Sequence, residues 1–263
     1  MKTHLFLLLT TLVASSAVYS KEWFNIPYVN QNETDAYLVE RGVLDIHCPK
    51  GTQNQPVIIW FHGGGLRSGE KALPKRLLNQ GVCVVSPNYR LYPRIKAPSY
   101  IEDAARAVAW VFKNIKNYGG DPSKVILSGY SAGGYLALMV GMDTQWLAKH
   151  NINASRLAAL VPFSGHTITH FTVRDERGIK GEQPIIDAFA PLYHVRKDAP
   201  PITLITGDRE LELLGRYEEN AYFERMMKVN GHTATQIYEL DGYGHNMVEP
   251  ALPLLLNIAR KYE

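Results

Sequence analysis

Two hydrophobic periodicities alternate along the chain. The run Pro56 to Phe61 (PVIIWF) is almost unbroken in apolar residues and stops at His62 and three glycines, as does a strand buried on both faces of a sheet. A second short run, VCVVSP, follows at 82–87. Between Tyr100 and Lys116 the spacing changes: Ile101, Ala104, Ala105, Val108, Val111, Phe112 and Ile115 recur at helical intervals until Gly119-Gly120-Asp121-Pro122 ends the element. The same reading predicts strands at 125–128, 157–165, 201–207 and 235–240. It predicts helices at 71–79, from Ser131 to about Met142, at 216–229 and at 250–261. Alternating apolar positions over 36–49 predict an early hairpin or edge strand, and the stretch from Gly165 to Ile185 has no strong period. Repeated β-then-α order points to an open, mostly parallel sheet covered on both faces.

The N-terminus stands outside this alternation. Met1-Lys2 precedes an apolar run from Leu5 to Val13 that ends in small residues up to Ser20, the pattern of a secretory leader and too short for a bilayer anchor. Residues 1–20 are therefore expected to be a signal peptide and 21–263 one α/β domain, exported to the periplasm or secreted, with no integral membrane segment after processing. The formal charge of +3 is spread without a basic block, which gives nucleic-acid binding no support. The two cysteines, Cys48 and Cys83, exclude a disulfide-dense scaffold and a cysteine metal site; a single disulfide and two buried thiols both remain open. Asn32-Glu33-Thr34 and Asn153-Ala154-Ser155 fit the glycosylation sequon, which has meaning only in a host that modifies secreted proteins.

Open parallel sheets bind ligands at the C-terminal ends of their strands, and that is where His62, Ser131, Asp208 and His245 fall. Ser131 lies in Gly129-Tyr130-Ser131-Ala132-Gly133, a strand-to-helix turn of the kind that exposes a nucleophilic hydroxyl. Such a hydroxyl needs a base, and the base needs an acid to hold its tautomer. His245, in DGYGHNM, is expected to be the base. Asp208, directly after the strand-ending glycine, is the first choice of acid by position, with Glu210 and Glu212 as competitors; Asp103, in a helix pattern, is assigned to structural support. The glycines after His62 let backbone amides approach a ligand, so Gly64 and Gly65 are expected to join Ala132 as donors to an oxyanion, with His62 as structural support.

These motifs together resemble the α/β-hydrolase fold, and within it the esterase/lipase group with an HGGG oxyanion loop, which includes hormone-sensitive-lipase-like carboxylesterases and bacterial feruloyl or acetyl xylan esterase relatives. The matching pieces are HGGG at 62–65, NYRLYP at 88–93, YGGDPSKVILSGYSAGG at 118–134, TGDRE at 206–210 and GYGH at 242–245. The resemblance implies a three-layer sandwich with a mostly parallel eight-stranded central sheet. It implies Ser131, Asp208 and His245 as triad, with Gly64, Gly65 and Ala132 at the oxyanion. It also implies a second strand antiparallel to the fourth, which would bring Cys48 towards Cys83. Many hormone-sensitive-lipase-like enzymes carry a long N-terminal cap, whereas only residues 21–37 lie between the expected cleavage point and LVERGVLDI, so a large N-terminal lid is not expected. The pocket is then expected to be open and shaped by 165–193, with Tyr130, His166, Thr167, His170, Phe171 and Arg174 as candidate wall residues; a merely solvated loop is the alternative.

The function expected from these features is acyl transfer through a serine ester, with a small-molecule or carbohydrate-linked ester as substrate and no metal, nucleotide or organic cofactor. Short-acyl, acetyl or feruloyl esters suit an exported, cap-free form. Amide hydrolysis, as in an arylformamidase or serine peptidase, uses much the same groups, and a silent binding protein on this fold is the alternative from another class.

Overall fold

The computed structural model describes residues 20–213 and 215–263, so the expected leader lies outside the described residues apart from Ser20. Eight strands form one sheet: β1 (Ser20–Pro27), β2 (Val43–Pro49), β3 (Gln55–Phe61), β4 (Cys83–Pro87), β5 (Gly120–Tyr130), β6 (Ala159–Phe163), β7 (Ile202–Gly207) and β8 (Thr235–Leu240). Their spatial order is β1-β2-β4-β3-β5-β6-β7-β8. β2 runs antiparallel to both β1 and β4, and every pairing from β4 to β8 is parallel. Seven α-helices lie among the described residues: α1 (Ala36–Arg41), α2 (Ser99–Asn114), α3 (Ala132–Met142), α4 (Gln145–Ala148), α5 (Phe171–Asp175), α6 (Arg216–Val229) and α7 (Val248–Ala259).

The alternation within β3 sorts the core into two layers. Val57, Ile59 and Phe61 join α2, α3 and part of α6 on one face, while Ile58 and Trp60 join Leu77, Leu252, Leu255 and the rest of α7 on the other. Because both faces are covered, β3 has to be apolar at successive positions. α3 is buried at every residue from Ala132 to Met142, so it is apolar all round, whereas α2 buries the stripe read from its spacing together with Tyr100, Asp103, Ala107 and Ala109 and leaves its other face partly open. Nothing among the described residues forms a large cap over the C-terminal ends of the strands.

Two sequence expectations need correction. Residues 36–41 are not strand: Asp35 accepts hydrogen bonds from the Tyr37 and Leu38 amides and starts α1, whose Leu38 and Arg41 point inward. The sheet edge is instead β1, an amphipathic strand that the apolar pattern does not mark. Residues 71–79 are not a full helix but a single 3-10 turn, Lys75–Leu77. The Lys71 and Ala72 amides are taken by the side chains of Asn88 and Ser86, which ties this segment flat against the sheet.

The antiparallel β2–β4 pair sets Cys48 opposite Cys83, and they form a disulfide with Cα atoms 4.2 Å apart. The bond closes a loop spanning 35 positions and fastens the antiparallel margin of the sheet to its parallel body. Replacing both cysteines by serine is expected to lower unfolding free energy by about 2–4 kcal/mol, read from urea denaturation of the oxidised parent and the variant. Equal midpoints would contradict a stabilising role.

Candidate active site

β5 ends at Tyr130 and α3 begins at Ala132, leaving Ser131 as the whole connection, with φ +54°. A serine rarely takes that conformation. It is fixed by its own amide donating to Phe163 O at 2.7 Å and by Tyr135 N donating to Ser131 O at 3.0 Å. The surrounding glycines are required by close approach: a Cβ on Gly133 would collide with the Phe61 backbone, and one on Gly129 would lie 2.6 Å from Gly133 C. The sequence around the serine thus allows α3 to pack against the ends of β3 and β5 and to raise Oγ towards the C-terminal edge of the sheet.

His245 sits in the loop after β8, and its Nε2 lies 3.0 Å from Ser131 Oγ. Its Nδ1 lies 2.6 Å from Glu212 Oε1. Asp208, the acid expected from position, does not touch the imidazole. Its carboxylate accepts from Glu210 N at 2.9 Å and from Gly242 N at 2.9 Å, so it closes its own turn and staples the loop after β7 to the loop after β8. Those two amide hydrogen bonds, Gly242 first, hold its carboxyl below the ordinary range. The physical reason for the correction is reach. An aspartate directly behind the strand is consumed by the turn it starts, whereas Glu212, further along that turn, folds its longer side chain back under the imidazole. Glu210 is exposed.

The Glu212 side chain is fully buried, at 0% exposure. Burial alone would raise its pKa, but His245, Leu213 N, Ser164 Oγ and the His245 charge outweigh it and hold the carboxyl down at about 2. Gly207 N adds a further donor at 3.1 Å to Oε2. An ionised acceptor on Nδ1 keeps the ring proton there and leaves the Nε2 lone pair facing Ser131.

The loop expected to hold an oxyanion turns on two glycines in the positive-φ region. Gly64 and Gly65 take φ +111° and +64°, and a Cβ on Gly64 would run into Ser68 O. Among the described residues neither amide donates to a protein acceptor, and the Ala132 amide, at the first turn of α3, has no intrahelical partner. Gly64 O accepts from Arg67 N and Ser68 N, while Gly69 O accepts from Arg41 Nη2 at 2.9 Å, so the loop is anchored at both ends. His62 is buried, donates from Nδ1 to Gly63 O at 2.7 Å and stacks on Tyr89 with ring centroids 4.3 Å apart. Burial pulls its pKa down to about 4, so it supports the loop as a neutral ring.

The candidate wall residues divide into two groups. Tyr130 and Phe171 remain partly open: the Tyr130 ring, next to the serine in the chain, lies 5.0 Å from the His245 ring, and a Cβ on Gly65 would lie 3.1 Å from Phe171 Cζ. His166, Thr167, His170 and Arg174 are buried, so they do not form a solvated loop, and most of their polar atoms serve the protein itself. Thr167 Oγ1 donates to Glu219 O, His170 Nδ1 accepts from Thr172 N, and Arg174 Nη1 donates to Gln183 O. His166 Nδ1 and Arg216 Nε both stand 2.8 Å from Glu219 Oε1, at angles that make no hydrogen bond. Thr172 Oγ1 donates to Gly65 O at 2.5 Å, and Arg67 pairs with Asp175, which clamps α5 to the oxyanion loop. Among the described residues no group of three or more His, Cys, Asp or Glu converges as a metal site.

A family model, BD-FAE, matches residues 44–213, more than half of the sequence and including Ser131 and Glu212. The chain belongs to the BD-FAE family. It is 29% identical to the probable carboxylic ester hydrolase LipM of Mycobacterium tuberculosis, over 68% of this chain and 46% of that protein. Identity to esterase LipC of the same organism is 26%, over 74% and 53%. Identity to the probable isoprenylcysteine alpha-carbonyl methylesterase ICMEL1 of Oryza sativa is 29%, over 78% and 54%. The chain thus spans about half the length of these relatives. Among solved structures, a truncated carbohydrate esterase from gut microbiota superposes with a TM-score of 0.76 at 20% identity, covering 94% of this chain and 98% of that one. Thermogutta terrifontis esterase 2 with propionate bound gives 0.69 at 21% identity, covering 91% and 92%. At these identities the superpositions establish the shared fold.

Two predictions follow from the charges. Glu212→Gln is expected to lower kcat about 10³- to 10⁴-fold on any substrate the protein turns over, while Asp208→Asn stays within about tenfold of the parent. Steady-state kinetics on both variants checks this, and the reverse order of severity would restore Asp208 as the acid. Stability is expected to fall as pH drops from about 6.5 towards 4. His62 has its pKa lowered to about 4, and burial holds His166 and His170 well below the ordinary value, so their stabilisation is present above about 6.5 and lost through their folded values. Glu219, pushed up to about 7 by burial, acts in the opposite sense but is one group against three. Urea midpoints across this range provide the check; a flat profile would contradict neutral buried imidazoles.

Proposed function

We propose that the protein is a serine carboxylic ester hydrolase working through an acyl-enzyme. The observation that carries this reading is the unbroken line from Ser131 Oγ to His245 Nε2 at 3.0 Å and from Nδ1 to Glu212 Oε1 at 2.6 Å, beside amides with no protein acceptor. In the first step Ser131 Oγ attacks the ester carbonyl as His245 Nε2 takes its proton. Glu212 stabilises the imidazolium without taking a proton, in keeping with a carboxyl held at about 2. The amides of Gly64, Gly65 and Ala132 donate to the developing oxyanion, each worth about 3–4 kcal/mol in sites of this kind. His245 then protonates the departing alcohol; water, activated by the same nitrogen, releases the acid and returns the proton to Ser131.

The proposed substrates are short-acyl esters and acetyl or feruloyl esters of carbohydrate. Family membership supports them, as does an open site flanked by the partly exposed rings of Tyr130 and Phe171. We also propose action outside the cytoplasm, in the periplasm or as a secreted protein. The support is the leader-like N-terminal pattern and the Cys48–Cys83 bond, a cross-link that persists in oxidising compartments. An intact Met1 terminus on protein recovered from the cytosol would contradict this.

A p-nitrophenyl acyl series, methyl ferulate and acetylated xylan, assayed beside a formanilide and a peptide anilide, test the activity. Turnover of short-acyl or feruloyl esters, lost about 10⁴-fold or more in Ser131→Ala, is the expected result. Preference for the amides, or full turnover by the alanine variant, would overturn the reading.

A further inference from the structure

We propose that Ser164 is a positioning residue, which acts on the reaction by orienting the carboxylate of Glu212 and, through it, the tautomer of His245. The proposal rests on the serine hydrolase reading and adds a fourth side chain to its machinery. Ser164 directly follows β6 and is wholly buried. Its Oγ stands 2.8 Å from Glu212 Oε2, 2.9 Å from His245 Nδ1 and 3.3 Å from Arg216 Nη1.

Counting protons decides what the hydroxyl does. A guanidinium only donates, and the one proton on Nδ1 points chiefly to Glu212 Oε1 and is shared at longer range with Ser164 Oγ, so towards both groups Ser164 Oγ can only be an acceptor. Its single proton is then directed to Glu212 Oε2. The carboxylate is thus held at both oxygens, by the imidazole at one and by Ser164 with Gly207 N at the other. Two acceptors below the ring, Glu212 Oε1 and Ser164 Oγ, keep the proton on Nδ1 and the lone pair on Nε2.

The position is built for this role. Ser164 has φ +47°, which turns the chain sharply at the end of β6, and its amide donates to Ile205 O at 2.7 Å. Arg216, at 1% exposure the largest of the fully buried side chains, donates to Ser164 O and also contacts His166 Nε2 at 2.8 Å. Asn220 Nδ2 donates to Gly165 O at 2.9 Å. α6 therefore spends two buried polar side chains fixing the backbone on which this hydroxyl sits.

The test measures kcat and KM for Ser164→Ala and Ser164→Gly, alone and combined with Glu212→Gln, on the ester the parent turns over best. The glycine variant removes the hydroxyl while accepting positive φ, so a folding defect in the alanine variant leaves the question answerable. Each single variant is expected to lose kcat on the order of 10- to 100-fold with KM nearly unchanged. In the Glu212→Gln background the further loss should fall below about twofold, because the hydroxyl acts through the group already removed. Undiminished kcat in a folded single variant, or the same loss in both backgrounds, would overturn the proposal. The low-field proton resonance of His245 Nδ1 gives a readout independent of turnover: it should shift and exchange faster with water in the variants, and an unchanged signal counts against Ser164. If the parent hydrolyses no ester, the functional reading fails, and this resonance still decides the role of Ser164.

Discussion

The site depends on keeping one carboxylate ionised where no water reaches it. Glu212 has no exposed side-chain surface, and a bare carboxylate there would take up a proton and cease to hold an imidazolium. Donors from four separate residues prevent this: the His245 ring, the amides of Gly207 and Leu213, and the Ser164 hydroxyl. They come from the ends of β6, β7 and β8. The order of those strands in the sheet therefore sets the protonation state of the site, and the fold and the chemistry are one problem at this point.

A second constraint acts on the other side of the serine. The elbow at Ser131 requires α3 to run close against β3, which Gly129 and Gly133 allow, and the same closeness brings the first turn of α3 against His62, where the loop of Gly64 and Gly65 begins. That loop is held from below by the neutral His62 ring and Arg41 and from above by α5. Phe171 at the start of α5 therefore ties the shape of the pocket wall to the position of the oxyanion donors.

Much of this was legible in the sequence where one force dominates. β3 and α2 follow from apolar spacing, α6 was read with the residue limits it has, and His245 meets Ser131 as their motifs suggest. Illegible parts are those settled by side chains from distant segments. Residues 71–79 make only a 3-10 turn, with the Lys71 and Ala72 amides drawn onto Asn88 and Ser86, and residues 36–41 gain a helix because Asp35 caps it. Asp208 occupies the expected place for the acid but is engaged by Gly242, far along the chain. Ser164 has no motif at all; the parallel pairing of β6 with β7 brings it to Glu212, and α6 fixes the backbone there through Arg216 and Asn220.

The most direct measurement is a crystal structure of the protein inactivated by an organophosphonate. The account predicts phosphorus bonded to Ser131 Oγ, its oxygen within hydrogen-bond distance of the Gly64, Gly65 and Ala132 amides, and Glu212 on Nδ1 of His245 with Asp208 still closing its own turn. Phosphorus on another residue, or Asp208 in place of Glu212 on the imidazole, would contradict it.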